Sequence, residues 1–465
     1  MADEIIPPAA SAESAYVPTM ENERRVSEQL ARVGRVLGER KNKGKLLEEI
    51  AWSREIEETF FASGATRLPT VEYRIDRDAV AAQVAELGRI EASIEGEDTV
   101  ATWLRATVRS LIGGNELLLA IGTRDFYLRS RDLYGGARTA FFGASVRNID
   151  LADHLLARLR VHGWDEDRDA GAARITAPEL AEHLTIRAGK RRPRLDLEIV
   201  LDERATAKCV AGMTRIRIRP DATFAPWEVE GLWHHEIETH ALTAQNGALQ
   251  PFASFLRSGG PRTTRTQEGL AVFSELYNRA LSIGRLERLA TRVKLVDMAE
   301  QGASFLDLYR FLVDRGAEPR DAYFDAQRVC RGGLVTGSAP FTKDACYLAG
   351  LLEVNAFLSA VIRGGFRDEV ELLVSGRVCL DDIAALAELR AAGILSRPKY
   401  LPRWLSSWET LLPFFAFSSF MDVVDLRPVE EHYRALIKVA EAARPREAPA
   451  DAGSPAFRDK RGAGG

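Results

Sequence analysis

The chain is poor in cysteine, carries no large charge of either sign and has no long unbroken apolar run. Each shortage excludes something. Its four cysteines (Cys209, Cys330, Cys346 and Cys379) are widely separated and form no Cys-x-x-Cys pair. They suit small buried side chains in a reducing compartment better than a disulfide framework or a thiolate zinc site. Sixty-three Lys+Arg against 67 Asp+Glu leave the protein slightly acidic, which argues against general nucleic-acid affinity. The apolar stretch 411–421 is too short to span a bilayer, and 345–362 is interrupted by Glu353 and Asn355, so no membrane partner is expected. Residues 1–20 are acidic and rich in Pro, Ala and Ser, without the basic-then-apolar pattern of a secretory signal. The cytoplasm is therefore the expected location.

What is present describes a globular protein with ample core: 46% hydrophobic and 28% charged residues over 465 positions. Residues 1–20 and 444–465 read as disordered tails. Between them the pattern divides into an N-terminal part, 21–225, and a mainly helical part, 226–443. The first is helical over 21–64, 78–92 and 97–112. Thr176-Ala-Pro178-Glu179 then opens a capped helix through His183. A basic stretch at 187–194 has no interleaved aromatics, so it reads as a solvated turn in preference to a nucleic-acid patch. Alternation over 195–201 and 213–219, the second ending at Pro220, predicts a small sheet. Helices follow at about 226–245, 266–283, 285–298, 303–314, 342–363 and 379–391. Strands ahead of a helical half give an α+β fold, with a cleft expected where the two parts meet.

The chain has seven histidines, and three of them (His234, His235 and His240) crowd one predicted helix. Its apolar stripe through Val229, Leu232 and Trp233 continues onto Glu236 and His240, which places both towards the interior. An unpaired carboxylate there would be costly. A metal ion would satisfy it, and so would a buried Glu236–His240 hydrogen bond. Imidazole plus carboxylate is the donor set of a catalytic zinc. His235 and His240 are five apart, about 140° around a regular α-helix. An extra residue in the turn, a π-bulge, would return them to one face. His234 lies farther round and is expected to flank the site. Glu268 reads as a first-turn residue of the next helix, with Thr266 as its cap. There it could complement the helix dipole or supply a third ligand, with Gly269 allowing close helix approach.

Four ordered motifs carry a resemblance. They are His-Glu-Ile-x-Thr-His from His235, Gln245-Asn246-Gly247-x-x-Gln250-Pro251, Thr266-Gln267-Glu268-Gly269-Leu270-Ala271, and Phe341-Thr342-Lys343-Asp344-x-x-Tyr347-Leu348-x-Gly350. Over roughly 25–440 the sequence resembles the QEGLA-motif zinc metallopeptidase family. That family includes the microtubule-associated tyrosine carboxypeptidases of animals and bacterial proteins labelled flavohemoglobin expression modulators. The resemblance implies a gluzincin-like catalytic half, with Zn2+ held by His235, His240 and Glu268 and with Glu236 as catalytic base. It also implies a carboxypeptidase acting on a peptide or protein C-terminus. The Ala/Arg-rich composition looks bacterial, so tubulin is not the expected substrate.

Such a reaction needs an oxyanion donor and a cation for the substrate's carboxylate. Tyr347, in the fourth motif, is the first choice as donor; a core aromatic is the alternative. Lys343 and Arg331 are favoured for the carboxylate, with Arg328, Arg262 and Arg265 as the other candidates. The strand 213–219 could pair with an extended peptide if it lies at an edge. Glu353 is expected either to orient a ligand or to face a neighbouring arginine. An endopeptidase or amide hydrolase with the same centre, or a non-catalytic regulatory relative, is the alternative reading.

Overall fold

The structure is a computed structural model that describes residues 20–39, 46–141, 144–160, 174–205, 207–421, 431 and 433. Of the tails expected at 1–20 and 444–465, only Met20 falls inside, as the first residue of a helix. The chain forms two compact units, Met1–Pro413 and Phe414–Gly465. In the second, Phe414 and Phe415 meet edge-on with ring centroids 5.1 Å apart.

The first unit is mainly helical with small sheets, an α+β arrangement. Its early helices are set by their caps. The Asp76 carboxylate accepts from the Ala79 N–H at the start of Arg77–Ala92, and Asp98 accepts from the Ala101 N–H at the start of Thr99–Leu119. The second helix runs past the expected end at Ile112. Gly113 and Gly114 do not stop it, because they are where other parts pack. A Cβ there would lie 2.9 Å from Leu133 and 3.1 Å from Pro261, and tertiary packing overrides the weak helix propensity of glycine.

The Thr176–Glu179 capping box forms, but its helix, Ala177–Lys190, continues well beyond His183. The basic stretch is therefore not the solvated turn that its composition predicts. Arg187 ion-pairs with Glu230 and lies over the Trp233 ring, 4.3 Å from its centroid. Arg191 pairs with buried Glu238 at 2.6 Å. Both brace the helix that carries the histidines.

Five short strands follow: β1 (Ile175–Thr176), β2 (Glu198–Leu201), β3 (Cys209–Ala211), β4 (Arg215–Ile218) and β5 (Thr223–Phe224). β1 pairs antiparallel with β5. The other three form one sheet in the order β2-β4-β3, with β2 parallel and β3 antiparallel to β4. The expected strand 213–219 is thus central, with both edges already paired, and cannot accept a peptide. β3 is the edge strand on the side of the histidines.

The next helix runs from Pro226 to Ala248 in three sections: α-helix over Pro226–Leu232, π-helix over Trp233–Ala241 and α-helix over Leu242–Ala248. The Leu242 N–H donates to Ile237 O, five residues back, and Thr239 Oγ1 donates to His234 O. The wider turn predicted from the histidine spacing is a whole π-helical segment.

The Gln-Asn-Gly motif at its end is a set of clamps. Gln245 Nε2 donates to Asp196 O and Met213 O. Asn246 Nδ2 donates to Val374 O and Tyr400 O while its Oδ1 accepts from Tyr400 N–H. Gln250 Nε2 donates to Ser375 O and Ser396 O. Gly247 leaves room for Leu256, whose carbonyl carbon would stand 2.3 Å from a Cβ.

Beneath the site the Pro261–Tyr277 helix crosses the Cys346–Arg363 helix at Gly269 and Gly350. The latter helix, with its 3-10 lead-in from Thr342, is long and apolar enough to cross a membrane, but over half of that stretch is buried within the protein. A core of Trp52, Phe60, Phe305, Tyr309 and Tyr323 lies alongside. Its ring pairs each add roughly 0.5–1.5 kcal/mol beyond simple burial.

Candidate metal centre

The π-helical turn brings the His235 and His240 rings to 4.8 Å between centroids, nearly perpendicular to each other. Glu268 approaches from the Pro261–Tyr277 helix, its Oε2 3.5 Å from His235 Nε2 and 3.6 Å from His240 Nε2. One ligand atom from each of the three lies within 4.8 Å of the others. Donors placed tetrahedrally around zinc at about 2.0–2.2 Å would stand roughly 3.3–3.6 Å apart. The donor types and the two imidazole–carboxylate spacings therefore fit a metal ion such as zinc.

Glu268 reaches the site differently from expectation. Its helix begins at Pro261, so Glu268 lies in the interior of the helix and Thr266 is no cap. Thr266 is buried, and its hydroxyl accepts the Leu380 N–H. Gly269 permits close approach, but to Gly350 and not to the helix of the histidines; an added Cβ would sit 2.2 Å from Gly350 backbone atoms. Gln267 Oε1 accepts from Thr243 Oγ1 at 2.9 Å, tying the two ligand-bearing helices together.

Electrostatics hold the donors in place. Lys343 Nζ donates to Glu268 Oε1 at 2.9 Å, leaving Oε2 towards the histidines. Burial opposes ionisation, but Lys343, His235 and His240 hold the Glu268 carboxyl well below its usual range. His235 Nδ1 lies 2.7 Å from Glu275 Oε1, and Arg285 pairs with Glu275 in turn. Burial alone would lower the His235 imidazole, yet Glu268 and Glu275 push it up to about 10. A carboxylate on the far nitrogen of a histidine ligand fixes its tautomer and orientation.

Glu236 is not paired with His240; its Oε2 accepts the Ala211 N–H of β3 at 2.9 Å. His234 points elsewhere. It is buried with Nδ1 unpartnered, and its nearest carboxylate is Glu230 at 3.9 Å.

His235, Glu236, Arg328, Arg331 and Tyr347 line two adjoining cavities, of about 560 and 370 Å³. Tyr347 is buried, its hydroxyl 3.5 Å from Lys343 Nζ. The five candidate cations separate sharply. Lys343 is held by Glu268, Arg328 makes two bonds to Asp344, Arg262 pairs with Asp382, and Arg265 pairs with Glu353. Glu353 thus faces an arginine, and Arg262 and Arg265 already have carboxylate partners. Arg331, only 6% exposed, has no carboxylate partner among the described residues, and its Nε is unbonded. Burial, with Arg328 nearby, pulls its guanidinium down to about 10.

Sequence reasoning missed Glu275, Arg285 and Arg377. Glu275 had a signal, since it stands seven residues after Glu268 and so shares its helix face. Arg377, which donates to His240 O at 3.4 Å and lines the larger cavity, comes from a distant segment and had none.

A sequence model of the family described as microtubule-associated tyrosine carboxypeptidase matches residues 58–423. Among curated proteins, MATCAP2 of Mus musculus, whose name gives a tyrosine carboxypeptidase only provisionally, is 27% identical over 207 residues. That alignment covers 43% of this chain and 37% of the relative. Microtubule-associated tyrosine carboxypeptidase 1 of Mus musculus is 29% identical over 187 residues, 39% of this chain and 37% of its own length. The chain therefore spans little more than a third of the curated relatives it matches.

Proposed function

This chain belongs to the microtubule-associated tyrosine carboxypeptidase family, and from that premise we propose that it is a zinc-dependent metallopeptidase that removes single residues from peptide or protein C-termini. The observation that carries the proposal is the convergence of His235, His240 and Glu268 beside a carboxylate, Glu236, that is not one of the three. A purely structural metal site would need no such neighbour.

His235, His240 and Glu268 would hold the ion. Zinc, when bound, supplies a Lewis acid for the scissile carbonyl and lowers the pKa of water towards about 7. Glu236 accepts the proton of the attacking water and returns it to the leaving amine. The Ala211 N–H orients one of its oxygens and leaves the other free for this transfer. The Tyr347 hydroxyl donates to the developing oxyanion, a contribution of roughly 3–4 kcal/mol in comparable sites. Arg331, buried and without an anion of its own, receives the substrate's terminal carboxylate through two parallel hydrogen bonds.

The test incubates the purified protein with a peptide mixture and reads products by mass spectrometry. Parallel reactions use Glu236→Gln, a chelator, and peptides blocked by a C-terminal amide. Loss of single C-terminal residues, abolished in all three controls, is expected. Protein that binds no stoichiometric zinc, or cleavage undiminished in Glu236→Gln, would overturn the reading. Equal cleavage of amidated peptides would move it to an endopeptidase.

A further inference from the structure

Lys343 is buried beside the candidate centre, and the backbone that carries it is clamped on both sides. It stands in a short 3-10 turn, Thr342–Ala345, that leads into the Cys346–Arg363 helix. Ahead of it, the Ser130 hydroxyl accepts the Thr342 N–H at 2.9 Å and lies 2.9 Å from the Thr342 hydroxyl. After it, Arg328 makes two bonds to Asp344, and Asn148 Nδ2 donates to Ala345 O. A flexible four-carbon stem therefore projects from a fixed point. Its ammonium donates to Glu268 Oε1 at 2.9 Å and to the Tyr347 hydroxyl at 3.5 Å, and stands 5.0 Å from the Tyr347 ring centroid. The bond to Glu268 matters because a carboxylate can ligate a metal through one oxygen or through both. Glu268 turns Oε2 towards the two histidines, whereas Oε1 faces an ammonium, which has three donors and no acceptor.

We infer that Lys343 is a positioning residue that holds Glu268 to ligation through one oxygen and so keeps a coordination position free for water. The inference rests on the metal-centre reading above and is independent of the substrate. Without the ammonium, Oε1 loses its partner in a buried site, where an unpaired charged oxygen is costly. A bound ion is the nearest replacement. The carboxylate then rotates, ligates through both oxygens and crowds the position that a catalytic zinc keeps open. The ammonium also repels a divalent ion at short range. Its removal should therefore leave metal affinity unchanged or higher, whereas loss of a purely structural support would lower it.

The experiment uses the full chain in two arms. X-ray absorption on the zinc-loaded native protein counts the ligands: four-coordinate zinc is expected, and a higher count with both Glu268 oxygens bound overturns the inference. The second arm compares Lys343→Met, which removes the charge, with Lys343→Arg, which keeps it. Each is stripped with a chelator, loaded with Co2+ and checked for helix content by circular dichroism. The visible cobalt band should weaken several-fold in Lys343→Met, as coordination rises, and stay native in Lys343→Arg. Zinc affinity of Lys343→Met, titrated against a competing chelator, should equal or exceed that of the native chain. A native cobalt spectrum in Lys343→Met, or lower zinc affinity with helix content intact, overturns the inference and leaves the metal centre standing. If Lys343→Met loses its helix content, the ligand count on the native chain decides alone. A native chain that binds neither zinc nor cobalt sinks the metal-centre reading itself, and this inference with it.

Discussion

Replacing Gly269 with alanine adds one methyl group where two helices touch backbone to backbone. The new Cβ would stand 2.2 Å from the Gly350 carbonyl carbon and oxygen. No flexible side chain is there to move aside, so the helices must separate by more than about 1 Å to restore van der Waals contact. Alanine returns at most about 1 kcal/mol of helix propensity. Against that stand the overpacking cost of roughly 1–3 kcal/mol and the loosening of buried Leu270, Ala271 and Val272. The expected net loss is about 1–3 kcal/mol. Glu268 is the adjacent residue, and sites of this kind tolerate displacements of only about 0.5 Å. Zinc affinity should therefore fall with stability. Urea unfolding followed by circular dichroism, with zinc titration against a competing chelator, reads both. Gly284→Ala is the control, since nothing lies within 4 Å of a Cβ there; it should be neutral or slightly stabilising. A Gly269→Ala protein with native midpoint and native zinc affinity would refute the reasoning.

Glu275→Gln should weaken zinc binding by about 10–100-fold with helix content intact, because it removes the charge that orients His235; unchanged affinity in a competition titration would end that role. Asn246→Asp turns a carboxylate towards the Val374 and Tyr400 carbonyls that the amide now serves. The expected loss is about 3–5 kcal/mol in denaturant unfolding, and a loss below about 1 kcal/mol would contradict the clamp. Burial, then Asp297, pushes Glu300 up to about 7. Its folded-state pKa is above the unfolded value, so its stabilising contribution is full below about pH 4.3 and is lost as pH rises through 7. Glu300→Gln should therefore melt above the native protein at pH 8, with the gap closing at pH 4. A gap that does not vary with pH would refute the assignment.

Several features of the centre were legible because they are local. The five-residue histidine spacing conflicts with α-helical geometry over one turn, and only a wider turn resolves it. The Thr176–Glu179 box declares a helix start within four residues. Imidazole and carboxylate chemistry needs no fold to be recognised. Thr266 misled because its cap-like identity is also local, whereas its actual partner, Leu380, lies 114 residues away.

The sequence by itself determined which residues carry ligand chemistry and that their helix must widen, since backbone geometry acts over a few residues. Tertiary structure alone decided the rest: that Gly269 meets Gly350, that Ala211 orients Glu236, and that four candidate cations are neutralised while Arg331 is not. A guanidinium is spent or free according to which carboxylate it reaches, and here that carboxylate lies between 16 and 120 positions away in the chain.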